Sequence, residues 1–103
     1  MGRGRRISDA VLVRLRKAPM VPALVSVGVY AKQDLTYQPR GDVLSERWHF
    51  SVSNGGTFEV VVTGVRWFDL QAGVGQAGAL DLTMHVLGLS LPEAAKRLAA
   101  AGW

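Results

Sequence analysis

Gly73, Gly75 and Gly78 stand in the G-x-G-x-x-G spacing with which a strand turns into a helix beneath a pyrophosphate. Asp81 and His85 lie four apart, so on a helix they share one face and offer half a metal site. No third ligand is evident, and plain helix polarity explains the pair as well. His49 is the only other histidine. Arg47 and Arg66 accompany the adjacent aromatics Trp67 and Phe68, which must face opposite sides of a strand. An exposed aromatic beside a guanidinium stacks unpaired bases; Trp67 is favoured for that role, with burial of Trp67 and exposure of Phe68 as the alternative.

Charge adds a second theme. Across residues 1–17, Arg3, Arg5, Arg6, Arg14, Arg16 and Lys17 are opposed only by Asp9. The rest of the chain carries one more anion than cations, so the net charge of +4 originates entirely in this leader and first helix. Such a block is an electrostatic footprint for polyanions, with a solubilising tail as the alternative.

Other chemistries lack their residues. With no cysteine there is no disulfide framework and no thiolate metal site, which is compatible with a cytoplasmic location. No Ser-His-Asp arrangement, nucleophile elbow or Gly-Lys-Ser/Thr phosphate loop occurs. Acids that could hold two magnesium ions are not clustered. No apolar run reaches the roughly 20 residues of a membrane span. The expectation is a protein that is not an enzyme, needs no cofactor and does not associate with a membrane.

The elements that must position these residues follow from periodicity. Residues 1–6, MGRGRR, read as a flexible basic leader to a single domain over 7–103. Ile7, Val11, Leu12 and Leu15 form an apolar helical stripe, capped by Ser8 or Asp9 and stopped by the APMVP segment. Residues 22–28 predict a short second helix ending at Gly28, and residues 30–46 read as polar with turn signals at 39–42. Trp48, Phe50 and Val52 then alternate with polar residues, as do Phe58, Val60 and Val62 after the Asn54-Gly55-Gly56 turn. A third strand spans 65–70, a helix 79–87, and a last helix begins at the capping box Ser90-x-x-Glu93 and runs to Ala101. The fold class is α+β: a three-stranded antiparallel meander flanked by N-terminal and C-terminal helices.

That order excludes a dinucleotide fold. The glycine fingerprint needs a second parallel strand carrying an acid about 20 residues on, whereas two helices follow Gly78. The glycines instead turn the chain from sheet edge into helix. Amides of the Gly73–Gly78 turn could cradle a phosphate oxygen, or the role could be steric alone.

The segment WFDLQAGVGQAGALDLTMHVLGLSLPEAAKRLA resembles the C-terminal half of the zinc-ribbon domain at the front of bacterial replicative primases. Gly88 to Ala99, GLSLPEAAKRLA, matches the family's last helix nearly residue for residue, and the resemblance covers roughly residues 20–101. Aligned strands put the family's four metal ligands near Ser51, Asn54, Asp69 and Ala72. None is a thiolate, so the resemblance implies a zinc-free variant whose sheet end is held by packing, similar to those of plasmid and phage primase-like and conjugation proteins.

The resulting expectation is a non-catalytic nucleic-acid-binding module, with single-stranded DNA favoured, in replication or transfer of a mobile genetic element. Arg3, Arg5, Arg6, Arg14, Arg16 and Lys17 would meet phosphates, and Arg47, Arg66 and Trp67 would serve the sheet surface. The competing class is an adaptor docking on a helicase, primase, polymerase or relaxase. A helix-turn-helix regulator built from the first two helices is a third, weakened by the prolines between them.

Overall fold

A computed structural model describes residues 7–39, 41 and 44–103, which leaves the leader and its Arg3, Arg5 and Arg6 outside the described residues. Helix α1, Asp9–Arg16, starts where the Ser8 hydroxyl accepts the Val11 amide at 3.2 Å. Pro19 ends the segment and caps α2, Met20–Ser26, whose Pro22 sits in the first turn, where a missing amide costs no helical bond. Strands follow as β1, Tyr30–Gln33; β2, Ser45–Ser51; β3, Thr57–Thr63; β4, Arg66–Asp69; and β5, Val74–Ala77. Helix α3 spans Ala79–Leu87 and α4 Leu91–Ala100, the latter opened by the expected capping box, with both Ser90–Glu93 bonds formed.

The α+β class and the flanking helices are as the sequence implies, but the sheet has five strands, not three. They pair antiparallel in chain order, β1-β2-β3-β4-β5. Strand β1 lies in the segment read as polar connection, and β5 lies inside the glycine cluster. Antiparallel pairing throughout leaves no parallel crossover unit for a dinucleotide.

Register decides which residues meet the helices. Val60 opposes Trp48, Phe58 opposes Phe50, and Val62 opposes Trp67. These six share one face, and buried Phe50, Val60 and Trp67 join Leu15, Leu24, Leu80, Leu82 and Leu98 in one core. Full burial of each large apolar side chain contributes about 1.5–3 kcal/mol, so this layer carries most of the stability. The opposite face, with Lys32, Arg47, His49, Glu59, Val61, Arg66 and Phe68, is turned away from that core.

Candidate nucleic-acid interface

Strand parity separates the two adjacent aromatics in the opposite sense to the sequence expectation. The Gly64-Val65 turn sets Thr63 opposite Arg66 and so Val62 opposite Trp67. Trp67 therefore enters the core, at 4% exposure, and cannot stack a base; Phe68 is the outward ring, at 45%.

Phe68 lies toward β5, across Gly75. A Cβ on Gly75 would come within 2.8 Å of Phe68 Cδ1 and 2.7 Å of the Trp67 carbonyl oxygen, so only glycine leaves the ring this seat. Val61, Thr63, Arg66 and Ala77 complete a shallow cavity of about 630 Å³ around it. An exposed ring, a guanidinium and small neighbours make a surface on which a flat base can stack.

The cations divide into three groups. Arg16 backs onto the end of β5: a Cβ on Gly78 would lie 2.9 Å from the Arg16 carbonyl oxygen, and the Gly78 amide donates to Val65 at 2.7 Å. The end of α1 thus lies against the junction of β5 and α3, which is bonded to the turn leading into β4; Arg16, Lys17 and Arg66 are all exposed. Arg14 is committed elsewhere, its Nε donating to the Trp103 carbonyl at 2.6 Å. Arg47 faces the outer surface but is paired with Glu59, with Asp34 at 4.0 Å. Two carboxylates neutralise it, which removes it from the expected phosphate contacts.

Two of the three glycine amides of this turn are engaged within the chain. Gly73 takes φ +71 in the β4–β5 turn and donates its amide to Asp69 at 2.9 Å. Gly78 takes φ +94, and its amide is spent on Val65. Ala79 and Leu80, which open α3, are fully buried. Positive φ at Gly73 and Gly78 serves the turning of the chain, and Gly75 leaves room for a ring.

His85 faces Asp69, not Asp81. Its Nε2 is 2.6 Å from Asp69 Oδ2, and its ring lies between Trp67, at 4.9 Å, and Phe58, at 5.7 Å. Asp69 Oδ1 accepts the amides of Gln71 and Ala72 at 2.8 and 2.9 Å. Burial pushes the Asp69 carboxyl up, but the bond to His85, the two amides and the nearby imidazole outweigh it and hold the group below its ordinary value. Asn54 accepts the Gly56 amide within its own turn. Among the described residues, no group of three or more His, Cys, Asp or Glu could hold a metal ion. Nor is any of their helices long and apolar enough to cross a membrane.

Comparison with protein-family models, with curated proteins and with solved structures gives no match to this chain.

Proposed function

We propose that this chain is a non-catalytic module that binds single-stranded DNA across the outer face of β3, β4 and β5. The observation that carries the reading is Phe68, held open to solvent over Gly75 and beside Arg66. Base stacking on such a ring is tolerant of sequence, and nothing on the face resembles a reader of base edges in the major groove. Arg66, Arg16 and Lys17 supply phosphate contacts, extended by Arg3, Arg5 and Arg6 of the leader. The likeness of residues 88–99 to the primase module supports a role in replication or transfer of a mobile genetic element.

Anisotropy of a labelled oligothymidine tests it. The wild-type chain binds, and Phe68→Ala weakens binding by about 5- to 150-fold, the worth of one stacked base. Unchanged affinity in Phe68→Ala overturns the stacking site. Absence of oligonucleotide binding altogether leaves the adaptor reading, in which the same face docks on a helicase, primase, polymerase or relaxase.

A further inference from the structure

Strand β5 forms one edge of the sheet. In an antiparallel ladder, residues alternate between bonding to the neighbouring strand and facing away from it. The Gly78 amide donates to Val65, and the β4–β5 register then has Gln76 bonding to Trp67 and Val74 to Asp69. The Leu70 amide donates to Glu59, which turns Arg66 and Phe68 toward β3 by the same alternation. Gly75 and Ala77 consequently present both their amides and both their carbonyls to the open edge.

Those four groups are self-complementary. Two β5 strands related by a two-fold axis at Gln76 place Gly75 opposite Ala77 of the second copy at both ends. Every free amide then meets a free carbonyl. Nothing in Val74–Ala77 guards the edge, since it has no charge, no proline and no bulge, whereas β1 at the other edge carries Lys32.

Charge favours the same occupant. Even-sum pairing keeps the two outer faces on one side, so the row across the joined sheet reads Val61, Phe68, Gly75, then Ala77 and Arg66 of the second copy. Phe68 already leans over Gly75 toward that edge. Arg66 of the second copy stands two strand spacings beyond Gly75, about 10 Å, a span an extended arginine side chain can largely cover. A guanidinium and a ring face attract one another, and the two-fold makes the contact twice.

We infer that the chain forms a symmetric dimer through β5, giving one continuous ten-stranded sheet with Gln76 on the axis. Dimer formation shares Phe68 and Arg66 with the proposed DNA face but does not rest on DNA binding, and it is tested without nucleic acid. Gln76 is exposed and directly faces its own copy, so a charge there repels itself while leaving the monomer's fold alone. Light scattering over a concentration series should give twice the chain mass of 11.1 kDa for wild type. Gln76→Lys and Gln76→Glu should each give the monomer, and their equimolar mixture should recover the dimer. In the wild type, hydrogen exchange at the Gly75 and Ala77 amides should slow as concentration rises, a readout that needs no variant. A wild type that is monomeric throughout, a Gln76→Lys that stays dimeric, or fast exchange of both amides at every concentration would overturn it.

Discussion

His85 Nε2 lies 2.6 Å from Asp69 Oδ2 and joins α3 to the last residue of β4 across 16 positions of sequence. The carboxylate beneath it is 2% exposed and also fixes the two amides that start the next turn. Three elements of structure therefore converge on one side chain. Asp69→Ala leaves two amides and an imidazole without their acceptor and should cost about 3 kcal/mol in chemical denaturation. A loss indistinguishable from that of an exposed Asp9→Ala control would contradict this.

The same pair sets a direction with pH. Because the folded Asp69 carboxyl sits below its ordinary value, the unfolded chain takes up a proton first as pH falls. The stabilisation is complete above the ordinary carboxylate value, about 4, and is lost as pH drops through the lowered folded value. Denaturation series run downward from neutral pH should show a shallower acid limb in Asp69→Asn than in wild type. An identical limb would assign the acid sensitivity to Asp34 and Glu93, whose carboxyls are also held low.

Trp67 and Phe68, neighbours in sequence, should separate stability from binding. Trp67→Ala empties a core position and should cost about 3–5 kcal/mol. Phe68→Ala should cost about 1 kcal/mol or less yet carry the loss in oligonucleotide affinity. Thermal melts and anisotropy on the same two variants make the comparison. Equal destabilisation by both would place Phe68 in the core.

Alanine substitutions at the glycines should rank by what each Cβ would meet. At Gly73 nothing lies within 4 Å, so only the positive φ matters, at about 1–2 kcal/mol, and Gly73→Asn should recover part of it. At Gly78 a positive φ combines with the Arg16 carbonyl, and the cost should be the larger. Gly75→Ala should disturb Phe68 and weaken oligonucleotide binding as well as stability. Denaturation midpoints across the three variants check the order.

Salt dependence distinguishes the arginines. Each phosphate contact on a single strand contributes about 0.7 to the slope of log affinity against log salt. Arg66→Ala should flatten that slope by about this amount, whereas Arg47→Ala, already neutralised by Glu59 and Asp34, should leave it unchanged. A flat response in wild type would remove phosphates from the interface.

Periodicity made α1, β2 and β3 legible, because each has a stripe or alternation long enough to resolve, and the Ser90–Glu93 capping box marked the start of α4. Strands β1 and β5 were not, since YAKQ and VGQA are short edge segments with little β-branched content, and Gly73, Gly75 and Gly78 flank or interrupt the second. The exposed aromatic was misassigned although register could have fixed it: Val62 belongs to the apolar side, and a two-residue turn places Trp67 beside it. The partner of His85 was hidden for another reason. Spacing of four within a helix suggested Asp81, while Asp69 shares the inward parity of Trp67 and so had to find a buried partner from another element.

Strand order in this sheet matches chain order, so every pairing closes a short segment and each hairpin can add to the one before it. Loop-closure entropy is small at every such step, which favours rapid assembly of the sheet. The bond from Arg14 to Trp103 is the opposite case, spanning 89 positions. Weakening it should quicken unfolding while leaving the rate of folding almost untouched.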